Sequence, residues 1–139
     1  MTHATTPAPA TPLALVQEAY ARFGQGDIPG LLALAAPDIE WQFVGDRAAP
    51  YTATVRGHGQ VGEWFGAVVA ADDILEFEPQ RLMAGGDVVT VIGRERIVAR
   101  ATGREFSCAW VHVWEVREGR IARFWGMLDS EASGNARRA

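Results

Sequence analysis

Between Thr102 and Asp129 the chain reads TGREFSCAWVHVWEVREGRIARFWGMLD, two alternating runs that meet at Arg117-Glu118-Gly119-Arg120. Side chains in a strand point to opposite faces with a period of two, so the segment predicts two long antiparallel strands joined by a tight turn. The first strand carries Cys108, Trp110, His112 and Trp114 on one face. The second carries Ala122, Phe124, Gly126 and Leu128 on one face, and Arg123, Trp125, Met127 and Asp129 on the other. Neither strand has a fully polar face, so this part of the sheet must be covered on both sides. One cover can be a ligand cavity and the other a partner subunit.

The rest of the chain supplies the covers. Residues 1–12 are Thr/Pro/Ala-rich and expected to be a disordered tail; 13–131 read as a single domain and 132–139 as a flexible C-terminal tail. Thr11-Pro12 matches an N-cap followed by proline at the first helical position. Leu13, Val16, Ala19, Tyr20 and Phe23 recur at helical spacing up to Gly24, and Asp27 caps a second short helix through Leu34. Ile39 to Val44 alternates as a half-buried strand, Gly45 to Gly59 reads as a long irregular connection, and Gln60 to Ala71 as a third helix. Strands are expected at Leu75–Met83, Val88–Ala99, Glu105–Val116 and Arg120–Leu128. Helices first and antiparallel strands afterwards define an α+β fold, a cone-shaped curved sheet wrapped around N-terminal helices, with room for one small ligand.

Composition narrows the function. The chain of 139 residues has 48% hydrophobic and 22% charged residues, a net charge of −4, and no lysine. Without a basic cluster to neutralise phosphates, nucleic-acid binding is excluded. Cys108 is the single cysteine, which rules out an internal disulfide and a multi-thiolate zinc site. No metal-ligand spacing and no cofactor motif is present. No apolar run reaches the roughly 20 residues that span a bilayer, and the N-terminus lacks a secretory pattern, so the protein is expected to be cytoplasmic and not to act on membranes.

Several short motifs, in this order and spacing, resemble the nuclear transport factor 2-like superfamily in its SnoaL-like, polyketide-cyclase-like branch. They are Gln25-Gly26-Asp27, Ala36-Pro37-Asp38, Arg56-Gly57, Thr102-Gly103-Arg104, His112-Val113-Trp114 and Glu118-Gly119-Arg120-Ile121. The resemblance runs from Leu13 to Asp129 and implies the fold more than a chemistry, because this fold hosts isomerases, cyclases, epoxide hydrolases, dehydratases and binders. Ketosteroid isomerases pair an Asp base with a Tyr and a protonated Asp. Those positions match Phe43, Ala19 (with Tyr20 beside it on another side of the helix) and His112. The acidic residue of the last strand in limonene-type epoxide hydrolases and in SnoaL-type cyclases matches Gly126. The Arg-x-Asp of the hydrolases reads Arg94-Glu95-Arg96.

What remains able to do chemistry is His112, as a base, acid or donor, and Glu95, as a base or as the partner that orients His112. Both are the candidate catalytic residues. Trp41, Phe43, Trp64, Arg94, Arg96, Cys108, Trp110, Phe124 and Leu128 are candidate ligand contacts, with an enclosed pocket expected to touch Trp41, Trp110, His112 and Phe124. The expected ligand is small and apolar or aromatic, handled by proton transfer at His112 in an isomerase, cyclase or lyase. The alternative is a binding or dimerisation module without catalysis. Val111, Val113, Trp125 and Met127 leave an apolar outer patch, so a homodimer is expected, with Val111, Val113 and Trp125 near its centre.

Overall fold

The computed structural model describes residues 11–138; the expected N-terminal tail, His3 included, lies almost wholly outside them. Helix α1 (Pro12–Gly24) begins as expected, with the Thr11 side chain accepting from Ala14 N and Pro12 in the first turn. Helix α2 (Ile28–Leu32) is capped by Asp27, whose Oδ1 accepts from Gly30 N. It is shorter than the sequence suggests, because strand β1 (Ala35–Val44) already starts before Pro37. A short strand β2 (Ala53–Arg56) interrupts the expected irregular connection and pairs with β1. Helix α3 (Gly57–Ala71) follows, then strands β3 (Asp72–Gly85), β4 (Val88–Ala99), β5 (Arg104–Arg117) and β6 (Arg120–Leu128).

The six strands form one sheet in the order β2-β1-β6-β5-β4-β3. All neighbours are antiparallel except β1 and β6, which run parallel with Trp41 opposite Phe124 and Phe43 opposite Gly126. Register shifts in β3, near Glu76 and near Pro79, and at Glu115/Val116 of the β5–β6 pair mark irregularities that bend and twist strands. Pro79 is accommodated because β3 is an edge strand, where a missing N–H costs no ladder bond. The fold is therefore α+β, with α1 and α3 packed on the concave side of a curved sheet.

Strand faces follow the period of two. Phe106, Cys108, Trp110, His112, Trp114 and Val116 of β5 are buried, as are Phe124, Gly126 and Leu128 of β6, while Val111, Val113 and Trp125 are half-buried and Met127 is exposed on the convex side. On β4 the buried set includes Val91, Gly93, Glu95 and Ile97.

The C-terminus departs from expectation. Residues 130–137 form a helix, α4 (Ser130–Arg137), instead of a flexible tail, and the folded unit extends past residue 131. Asp129 caps it, its carboxylate accepting from Glu131 N and Ala132 N. Ser133, Gly134 and Ala136 are buried against the body, and the Thr102 hydroxyl donates to the Ala136 carbonyl. Small residues let the helix lie close to the sheet, which is why no apolar stripe announces it.

Candidate functional site

Under α1 and α3 the concave face holds a partly open cavity of about 70 Å³, not the enclosed pocket expected. That exceeds the roughly 10–15 Å³ one water needs and falls below the several hundred Å³ typical of a drug-sized pocket. Its wall is mostly aromatic: Trp41, Phe43, Trp64, Phe65, Phe77 and Phe124 all line it. Trp41 stacks on Phe124 with ring centroids 3.9 Å apart, the pairing set by their opposed positions on β1 and β6. Two polar clusters interrupt this wall.

The first is built on β5 and α1. His112 Nδ1 lies 2.7 Å from the Tyr20 hydroxyl, and Trp114 Nε1 donates to that hydroxyl at 3.0 Å. An indole N–H only donates, so the Tyr20 oxygen accepts from Trp114 and keeps its own proton available for His112 Nδ1. In the tautomer that uses it, the imidazole proton sits on Nε2. Burial pulls the His112 pKa down to about 3, so the ring is neutral at ordinary pH. The same burial pushes the Tyr20 hydroxyl well above its usual range. His112 is oriented by Tyr20 and not by Glu95, which lies in the other cluster.

The second cluster joins Tyr51, Asp72, Glu95 and Arg137. Arg137, on α4, grips Asp72 with both terminal nitrogens: Nη1 to Oδ1 at 2.6 Å and Nη2 to Oδ2 at 2.9 Å. Its Nη2 also donates to the Tyr51 hydroxyl, and its Nε to Ser133 Oγ. Tyr51 in turn donates to Asp72 Oδ2. The side chains of Arg137 and Asp72 are 5% and 1% exposed, so this is a buried, geometrically matched pair. Glu95 is different. It lines the cavity at 9% exposure, and its carboxyl has one partner among the described residues, the Cys108 thiol at a long 3.9 Å. Burial, then the Asp72 charge, push its pKa up to about 8, which makes it a carboxylic acid at neutral pH. Cys108 is raised to about 12 by burial and then by Glu95, and is an inert thiol.

The sequence-derived residues are thus sorted by position. His112, Glu95, Trp41, Phe43, Trp64, Phe124 and Leu128 line the cavity. Arg94 and Arg96 do not: they share the opposite face of β4, where Arg96 bridges Glu76 and Glu105. Since Glu95 points in, the period of two forces both arginines out. Cys108 and Trp110 are buried on the concave face yet stand outside the cavity wall, so the pocket touches three of the four residues expected and not Trp110. The reason is Gly93, opposite Trp110 in the ladder: a Cβ there would meet the indole at 2.2 Å, so the ring lies flat over the glycine. Trp110 then stacks between Phe77 at 4.7 Å and His112 at 4.0 Å and acts as the floor beneath the imidazole. Gly126 is filled by its neighbours, since a Cβ would come within 2.7 Å of Phe124 and 3.0 Å of His112, leaving no room for an acidic side chain without rearrangement.

Tyr20, Tyr51, Asp72 and Arg137 complete the site and escaped the sequence reading. Tyr20 is one residue beyond the position that a gapless match assigns to tyrosine, but the sheet curves far enough around α1 for both Ala19 and Tyr20 to face the cavity. His58, in the first turn of α3, bonds the Ala35 carbonyl through Nε2 and serves to anchor the helix. Among the described residues no group of His, Cys, Asp and Glu is arranged to hold a metal ion.

The SnoaL-like domain family matches residues 16–124, and the chain belongs to that family within the NTF2-like superfamily. An NTF2-like protein of Burkholderia thailandensis E264 is similar over 94% of this chain and 99% of its own, with 29% identity and a TM-score of 0.86. An NTF2-like protein of Burkholderia pseudomallei K96243 is 30% identical over 94% of this chain and 99% of its own, with a TM-score of 0.81. TerC, crystallised with polyporic acid, shares the fold at 24% identity over 95% of this chain and 100% of its own, with a TM-score of 0.81. No curated protein matches the sequence.

Proposed function

We propose that this SnoaL-like protein binds a small, neutral, apolar or aromatic molecule bearing an oxygen function, and moves a proton on it in a reaction of the isomerase, cyclase or lyase type. The observation that carries this reading is Glu95: a carboxyl facing an aromatic cavity, holding its proton to about pH 8, with only a distant thiol as partner. A buried acid lacking a good partner costs free energy in the empty protein, and a ligand carbonyl or hydroxyl would satisfy it. In this reading Glu95 is the proton carrier. His112, with Nδ1 taken by Tyr20, serves as a neutral donor through Nε2 that would hold a carbonyl oxygen as charge develops there. Neither cluster offers a free cation, since Arg137 is committed to Asp72, so carboxylate ligands are disfavoured.

The test is a titration of the protein with single-ring aryl ketones of different size, followed through the indole N–H resonances of Trp41, Trp64 and Trp114. Proton exchange on the bound ketone would be followed in deuterated water. Saturable shifts with exchange that Glu95→Gln abolishes are expected. Binding without exchange would favour the second reading, a non-catalytic binder, for which Phe43 and Gly126 at the family's carboxylate positions already speak. No binding of any of these probes would overturn both.

The convex face is proposed to pair with a second copy. Its half-buried Val111, Val113 and Trp125 lie beside Glu40, Glu115 and Arg123, charges of both signs able to face their own counterparts across a two-fold axis. Among the described residues no helix is long and apolar enough to cross a membrane, and a cytoplasmic location is part of the proposal. A mass near 15 kDa by light scattering at micromolar concentration would rule the dimer out.

A further inference from the structure

We propose that Arg137, carried on α4, is a positioning residue for the candidate site: by committing its guanidinium to Asp72 and the Tyr51 hydroxyl, it offsets the Asp72 charge beside Glu95 and so sets how firmly Glu95 holds the movable proton. The inference rests on the reading of Glu95 as the proton carrier and adds how that carrier is set.

The geometry points to this division. Two carboxyls, Asp72 at the start of β3 and Glu95 in the middle of β4, line the same cavity, yet only one of them has a cation. The fork of Arg137 meets both oxygens of Asp72, Tyr51 adds a third hydrogen bond to that carboxylate, and Ser133 fixes the guanidinium from behind. The Tyr51 and Phe106 rings lie 5.3 Å and 5.6 Å from the guanidinium carbon and restrict its position further. No hydrogen bond joins Arg137 to Glu95 among the described residues, although its charge is close enough to act on it. The other groups acting on Glu95 are the Cys108 thiol from β5 and the Tyr51 hydroxyl from the segment before β2. Both are neutral at ordinary pH. Burial does most to keep the proton on Glu95, and the anion on Asp72 and the cation on Arg137 then act on it in opposite directions. Removing either should move Glu95 in opposite directions. This helix lies beyond residues 16–124, the span matched by the family.

Carboxyl carbon NMR of protein labelled at Glu and Asp tests this without any ligand. The Glu95 signal is assigned as the one lost in Glu95→Gln, and its titration midpoint is expected near 8 in the wild type. In Asp72→Asn, where the amide oxygen still accepts from Tyr51, Arg137 is left without its anion. Glu95 should ionise to compensate, its midpoint falling by about one pH unit or more. In Arg137→Met, Glu95 should hold its proton to higher pH than in the wild type. Arg137→Lys, which keeps the charge, should move the midpoint less than Arg137→Met does. If Arg137→Met fails to fold, the Asp72→Asn arm decides alone. An unchanged Glu95 midpoint in Asp72→Asn, or shifts of the same sign in Asp72→Asn and Arg137→Met, would overturn the proposal. A failure to bind aromatic ketones would instead count against the proposed function and leave these titrations unaffected.

Discussion

The two polar clusters of the cavity solve one problem in opposite ways. At the β5 end, Trp114, Tyr20 and His112 form a chain of donors and acceptors with no charge at all. At the α4 end, Arg137 and Asp72 are both charged and cancel each other, with Glu95 held beside them as a neutral acid. A neutral chain survives burial because it carries no charge to desolvate and its inner links are paired; an ion pair survives because its geometry is matched on both sides. The lesson is where the site is replaceable. Loss of one link in the neutral chain leaves unpaired dipoles, whereas loss of one ion leaves an unpaired charge.

That contrast sets the order of expected effects. Arg137→Met strands the Asp72 carboxylate and should cost about 3–5 kcal/mol in urea denaturation. A cost below that of the uncharged-chain variants would break the comparison. Gly93→Ala forces Trp110 off its seat beneath His112 and should cost about 1–3 kcal/mol or more, with loss of the upfield ring-current shifts on the imidazole as a second readout. Tyr20→Phe leaves His112 Nδ1 and Trp114 Nε1 without their partner and should cost about 1–3 kcal/mol.

The remaining expectations concern pH dependence. His112 falls from 6.5 to about 3 on folding, so the unfolded chain takes up a proton that the folded one refuses. Stability should decline as pH drops from 6.5 towards 3. Glu95 rises from 4.5 to about 8, so the folded protein keeps a proton that the unfolded chain releases, and stability should decline as pH rises from 4.5 to 8. Urea midpoints measured across this range should flatten on the alkaline side in Glu95→Gln and on the acid side in His112→Gln. Unchanged slopes in either variant would show that the corresponding cluster does not hold its charge state as described.

The neutral cluster was half legible in the sequence and the charged one barely so. His112 between Trp110 and Trp114 is announced by strand alternation, which depends only on neighbours along the chain. Tyr20 hid behind a helical position one residue off, because how far a sheet wraps around a helix is a tertiary property. Glu95 was legible as a candidate, but alternation alone leaves the choice of face to the partner strands, and these turn Arg94 and Arg96 outward. Arg137 could not be read from its surroundings. Apart from Glu131, the rest of the helix that carries it is Ser, Ala, Gly and Asn, and it resembles a loose tail until its small residues meet the body of the fold. Gly93 gives no signal that distinguishes it from a turn glycine, yet it moves Trp110 out of the cavity wall. Likewise β2 is only four residues long, and its pairing depends on β1 being beside it.

The parallel pairing of β1 with β6 brings Glu40 against Arg123 across 83 positions of chain. During synthesis β1 emerges long before its partner exists, and its Trp41 and Phe43 must wait with one edge open while β3, β4 and β5 are made. Such distant closures are slow compared with local hairpins, because loop entropy is lost before the contact rewards it. The local hairpins β3–β4 and β5–β6 are expected to close before β1 finds β6, so the aromatic wall of the cavity is expected to assemble late and to be exposed to aggregation on the way.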